Sequence, residues 1–239
     1  MCHFALNGKV FLMKIGFVSL GCPKNQLDVE VMLHEVVSAG YEITPDETEA
    51  DVVIINTCAF IESAKKESID NILDIAWFKK NRSLKAIIVT GCLAERYRDQ
   101  IFDELPEVDA VIGVGSIHRI VEAIESVAGG CRYSSFEPND EVRLGGDRVL
   151  TTPDYTAYLK IAEGCDNRCA YCAIPLIRGR LRSRTIEDIV EEAKGLEALG
   201  VRSFVSLRRT LRDTDSTSMA NISLPLFCAR SPMRRAYRG

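Results

Sequence analysis

The sequence has no apolar run approaching the roughly 18 residues that a membrane-spanning helix needs. The early stretch Lys9 to Met13 is too short and broken for the apolar region of a signal peptide. A cytoplasmic chain without membrane contact is therefore expected. Histidine is scarce, and His3, His34 and His118 show no metal-binding spacing. Cysteine accounts for nine of 239 residues. That is too few and too scattered for a small secreted disulfide scaffold, and an odd count leaves one thiol over. With 46% hydrophobic and 27% charged residues the composition is neither disordered nor fibrous, and the length allows one or two domains. The use made of the cysteines is what needs explaining.

Charge is divided unevenly. Residues 1–202 carry a net −9, whereas residues 203–239 hold seven Arg, no Lys, two Asp and no Glu, a net +5 that brings the total to −4. This end segment lacks sustained apolar periodicity. Three readings fit it: a basic nucleic-acid-binding arm, a disordered end, and an out-of-frame or otherwise foreign stretch, the last favoured by the sudden exchange of Lys and Glu for Arg and Ser.

Residues 13–129 alternate short apolar runs with longer amphipathic segments. Ile15 to Leu20, Val52 to Ile55, Ala86 to Val89 and Ala110 to Ile112 suit buried strands, and their alternation with helices predicts βαβ units and a parallel sheet. Predicted helix faces carry Val29, Met32, Leu33 and Val36, then Ile69, Ile72, Leu73 and Ala76, and later Ile117, Ile120, Val121 and Ile124. Gly40 is placed to terminate the first of these helices, and Ser116 to cap the start of the last. Residues 130–156, with Gly129-Gly130, Gly145-Gly146 and Pro153 at or within their bounds, read as a linker. A second domain is expected at 157–202: a strand from Tyr158 to Ala162, a cysteine-rich loop, and a helix opened by Thr185-Ile186-Glu187-Asp188 and closed by Gly200. Val201 to Val205 can begin another strand. Residues 1–12 read as an unpatterned extension and 203–239 as an atypical tail.

Two groups of cysteines emerge. Cys165, Cys169 and Cys172 form C-x3-C-x2-C on a loop after a strand, a spacing that lets the loop wrap an iron–sulfur cube with one iron left open for substrate or cofactor. A zinc site completed elsewhere and ordinary free thiols are the alternatives. Cys22, Cys58 and Cys92 lie 36 and 34 residues apart, yet each follows a predicted parallel strand. Such strands end on one sheet edge, where ligands bind in open α/β sheets. Convergence on a second centre competes there with the plain reading of cysteine as a small buried residue. Cys2, Cys131 and Cys228 fit neither pattern.

These residues resemble the radical S-adenosylmethionine methylthiotransferase family. The resemblance runs from about Met13 to Arg202. It is carried by Ser19-Leu20-Gly21-Cys22-Pro23-Lys24-Asn25, Asn56-Thr57-Cys58-Ala59-Phe60-Ile61-Glu62, Gly91-Cys92-Leu93-Ala94-Glu95-Arg96-Tyr97, Cys172-Ala173-Ile174-Pro175 and the run Arg178 to Arg184. Pro23-Lys24 favours the branch that modifies an aspartate of ribosomal protein uS-twelve over the branches that modify tRNA adenosine. The resemblance implies an open parallel-sheet domain followed by a partial (β/α) barrel. It also implies two 4Fe–4S clusters, one held by Cys165, Cys169 and Cys172 and one by Cys22, Cys58 and Cys92, with S-adenosylmethionine as cosubstrate and Tyr171 near its adenine. Implied partners are uS-twelve or the small ribosomal subunit and an electron donor such as a flavodoxin or ferredoxin.

The chain departs from the family at Val29, where serine is usual, and in length, since a full barrel takes on the order of 200 residues. A truncated, catalytically inactive cluster-binding remnant is therefore the competing expectation. Arg178, Arg180, Arg182 and Arg184 lack the interleaved aromatics of a nucleic-acid surface, so ion pairing or solvation is the expected role and direct nucleic-acid binding is not expected. Gly113-Val114-Gly115 reads as a βα turn rather than a nucleotide fingerprint.

Overall fold

The computed structural model describes residues 13–139 and 144–207. The extension at 1–12 and the tail from 208 onward, with His3, Cys2 and Cys228, lie outside the described residues.

Six parallel strands form the first unit: β1 (Lys14–Ser19), β2 (Glu42–Thr44), β3 (Val52–Thr57), β4 (Ala86–Gly91), β5 (Ala110–Ile112) and β6 (Tyr133–Ser135), in the spatial order β2-β1-β3-β4-β5-β6. The central strands carry continuous apolar runs, 52–55 and 86–89, because both faces are covered there. Val52 and Ile54 pack toward α1 (Pro23–Ser38) and α5 (Ile120–Ala128), while Val53 and Ile55 point to the opposite core, shared with α2 (Glu62–Asn81) and α3 (Cys92–Tyr97). A short α4 (Gln100–Glu104) precedes β5. Val29 is buried in the α1 core, so the apolar side chain at this position is a packing residue. Gly40, with φ +88°, stands just past the Ala39 C-cap of α1, as expected.

The second unit contains β7 (Thr156–Lys160), β8 (Ala162–Glu163), α6 (Ile174–Arg178), β9 (Arg182–Ser183), α7 (Ile186–Ala198) and β10 (Ser203–Leu207). Strand β10 pairs parallel with β7, and β8 pairs antiparallel with β9. Ala157, Leu159 and Ile161 bury against Ile189, Ala193 and Leu196 of α7. Thr185 caps α7 by accepting a 3.3 Å hydrogen bond from the Asp188 N–H, as its capping sequence implies.

Several boundaries and faces differ from expectation. Helix α2 buries Ser68, Ile72, Ile75 and Ala76, leaving Leu73 47% exposed, so its inner face is rotated from the predicted one. Ser116 caps nothing. It lies buried in a 3-10 turn (Val114–Arg119), its hydroxyl accepting from the Ser135 Oγ and the Glu137 N–H. The segment read as linker opens with β6, which extends the sheet by one strand. Residues 203–207, placed in the tail by the domain division, form the strand that Val201 to Val205 is expected to begin, held by backbone pairing with β7 and packing of Phe204.

Candidate metal centre

Strands β1, β3 and β4 are adjacent and parallel, so Leu20, Thr57 and Gly91 leave the sheet at one edge. Cys22 is the N-cap residue of α1, Cys58 follows β3, and Cys92 opens α3. Glycine makes this convergence possible. Gly21 (φ +100°) lies so close that a Cβ there would stand 2.9 Å from the Cys58 Cβ, and one at Gly91 (φ +90°) would stand 2.2 Å from the Asn56 Oδ1. Ser68 of α2 fixes Cys58 from behind, accepting from its N–H and donating to its carbonyl, both at 3.0 Å.

Asn25, one turn into α1, ties the three corners together. Its Nδ2 donates to the carbonyls of Leu20 (3.0 Å) and Thr57 (2.9 Å), while the Cys22 and Cys92 sulfurs lie 3.9 and 3.6 Å from its Oδ1. Arg178, from the second unit, donates to that same Oδ1 at 2.6 Å and to the Cys92 Sγ at 3.4 Å. Burial pushes the Cys92 thiol up, and the neighbouring guanidinium pulls the other way.

The second triad lies on the loop between β8 and α6. Cys165 is buried, its N–H donating to the Gly179 carbonyl at 3.2 Å, whereas Cys169 is exposed and Cys172 half-buried. Asp166 steadies the loop base, accepting from the Leu181 N–H at 3.2 Å. Tyr171 is 91% exposed. Helix α6 starts two residues after Cys172 and ends at Arg178, so it spans from this loop to the upstream cysteines; Ile177 and Ala173 pack into the first unit's core on the way.

Among the described residues no three His, Cys, Asp or Glu side chains stand close enough to hold a single metal ion. A cubane spaces its ligands more widely than one ion does. Both triads are sets of soft sulfur donors, and the cation on the Cys92 sulfur suits a negatively charged thiolate centre. On those observations the residues fit an iron–sulfur cluster.

The arginine series divides by burial. Arg178 pairs with Asp28 and Arg184 with Asp188 and Glu192, while Arg180 is exposed, 3.7 Å from Asp166. At Gly113 and Gly115 any Cβ would collide with Glu95 and Glu137, so this turn is closed by protein contacts. Sequence reasoning did not single out Asn25, Asp28, Lys160, Glu163 or Arg178 as site residues. The available signal was Lys24 and Asp28, four apart and hence on one side of α1.

Residues 14–113 match the uncharacterized protein family UPF0004, and residues 159–208 match the radical SAM superfamily. The chain is 52% identical over 194 residues to the ribosomal protein uS12 methylthiotransferase RimO of Lachnoclostridium phytofermentans. It is 50% identical over 198 residues to the protein of that name in a Thermoanaerobacter species, and 51% identical over 199 residues to that of Clostridium tetani. Each alignment takes in 81% of this chain and 44%, 44% and 43% of the respective relative, so the chain spans less than half the length of the relatives it matches.

Proposed function

The chain joins a UPF0004 segment to a radical SAM segment, and from that pairing we propose that it works as a radical S-adenosylmethionine methylthiotransferase whose substrate is an aspartate of ribosomal protein uS12. The observation that carries this reading is the pair of cysteine triads bridged by α6.

Cys165, Cys169 and Cys172 would hold one 4Fe–4S cluster and Cys22, Cys58 and Cys92 a second. When bound, these clusters and S-adenosylmethionine supply the reductive cleavage, the methyl group and the sulfur for insertion at the aspartate β-carbon. The chain's own residues bind and orient. Cys165 is buried and fixes one end of the loop, while exposed Cys169 and half-buried Cys172 leave its outer side open to a small cosubstrate. Tyr171 presents its ring on that open side, where it can stack on an adenine. Cys58 and Cys92 are buried beneath the sheet edge, which keeps water from the upstream centre, while exposed Cys22 leaves one approach. An electron donor of the flavodoxin or ferredoxin class and a cytoplasmic setting go with this chemistry. No helix among the described residues is long and apolar enough to cross a membrane.

Anaerobic loading with iron and sulfide tests the assignment. Cys165→Ala and Cys22→Ala are each expected to lower bound iron by about half, since each removes a ligand from one of two clusters. If neither lowers it, both sites fail. Incubation of the loaded chain with S-adenosylmethionine, reductant and either uS12 or tRNA then decides the substrate. A methylthio mass increment on a uS12 aspartate is expected; the same increment on tRNA adenosine, or none on either, would overturn the substrate assignment.

A further inference from the structure

Five ionisable side chains are buried together where α1 meets β7, β8 and α6: Lys24, Asp28, Lys160, Glu163 and Arg178. Lys24 Nζ lies 2.9 Å from Glu163 Oε1, and Lys160 Nζ lies 2.6 Å from Asp28 Oδ1 and 3.2 Å from Glu163 Oε2. Arg178 Nη1 lies 2.5 Å from Asp28 Oδ2. Three cations thus face two carboxylates. Each cation has a carboxylate neighbour, but three share two, and a net positive charge in a buried group favours a further anion beside it.

The neighbouring ion network does not supply it. There the buried Glu30 and half-buried Glu192 are matched by Arg148 and Arg184, and the additional carboxylate, Asp188, is 45% exposed on its own side of Arg184. Arg178 itself shows where the anion belongs. One nitrogen is spent on Asp28, and the other points at the Asn25 Oδ1 and the Cys92 sulfur.

We infer that Arg178, a residue of the second unit, is the counter-charge and positioning residue for a cluster held by Cys22, Cys58 and Cys92, so that the first unit's metal site is complete only with the second unit docked. This rests on reading those cysteines as cluster ligands. Reduction adds negative charge to an iron–sulfur centre, and a fixed cation beside one of its thiolates stabilises the reduced form. Removing that cation moves the reduction potential to more negative values.

The test uses the full chain with Cys165, Cys169 and Cys172 replaced by Ala, so that only the upstream site can load. Retention of iron against a chelator and the EPR-monitored reduction potential are compared with and without changes at Arg178. Arg178→Gln is expected to retain iron roughly 10- to 100-fold more weakly and to have a more negative potential. Arg178→Lys, which keeps the charge, is expected to recover most of the potential. Lys79→Met breaks the Lys79–Asp109 ion pair at the opposite end of the sheet and should lower stability without moving the potential. If Arg178→Gln does not fold, Arg178→Met takes its place, since it leaves Lys24 and Lys160 facing Asp28 and Glu163 and fills the space of the stem with apolar atoms, and the same shift is expected. Unchanged iron retention and potential in the foldable variant overturn the inference, as does an equal shift in Lys79→Met. Absence of iron from the starting triple variant overturns the upstream cluster itself, and the inference falls with it.

Discussion

Asp51 precedes β3 at the end of the sheet away from the cysteines, and its carboxylate joins three segments. It accepts from the Lys14 N–H at 2.9 Å and pairs with the Lys85 Nζ at 2.9 Å. Burial alone would raise its pKa, but the Lys85 and Lys14 hydrogen bonds outweigh burial and bring it below the usual carboxylate value. A depressed carboxyl stabilises the fold above the unfolded-state pKa of about 3.9, and that stability is lost as pH falls through the lower folded value. Asp51→Asn should therefore lower unfolding free energy by on the order of 1 kcal/mol at neutral pH. The difference should shrink toward zero in strong acid. Urea midpoints at pH 7 and near pH 3 check this; a deficit of the same size at both would show that the charge is not the source.

Helix α2 shows how far a pattern can be read before packing is known. Ile69, Ile72, Leu73 and Ala76 have helical spacing, but so do Ser68, Ile72, Ile75 and Ala76, and the second set is the one buried. The small polar Ser68 hid the true face because its value lies in bonding to Cys58, not in apolarity. Ile72→Ala should cost about 2–5 kcal/mol, whereas Leu73→Ala, at a 47% exposed position, should stay within about 0.5 kcal/mol. Thermal unfolding of the two variants decides between the faces, and equal losses would restore the predicted one. The strands were legible for the opposite reason: β3 and β4 are buried on both sides, so 52–55 and 86–89 read as continuous apolar runs of Val, Ile and Ala with nothing to misassign. The cysteines were legible because a strand end is a local feature. The partnership of Asp28 with Lys160 and Arg178 joins residues 132 and 150 positions apart, and no local period encodes which distant charge meets which.

At the scale of the whole molecule, two units with separate sheets are held as one body by a seam of apolar and ionic contacts. Ile177 enters the first unit's core, and Arg148 clamps Glu30 of α1 at 2.9 Å and Glu192 of α7 at 3.0 Å. Glu30 also accepts from the Thr151 N–H and hydroxyl, so the connecting segment is lashed along α1. Such a seam predicts one cooperative transition. Fluorescence of Trp77, the only tryptophan, reports on α2 of the first unit, and hydrogen exchange of the β7 amides reports on the second; both should change at the same denaturant concentration. Arg148→Met leaves the buried Glu30 without its cation while Glu192 keeps Arg184, a loss of about 3–5 kcal/mol. That loss falls on the seam, so β7 protection should disappear before Trp77 responds. Pairing Arg148→Met with Glu30→Gln removes the uncompensated charge and should bring the two transitions back toward each other. If Arg148→Met moves both probes together, the apolar contact of Ile177 carries the docking and the ionic clamp does not.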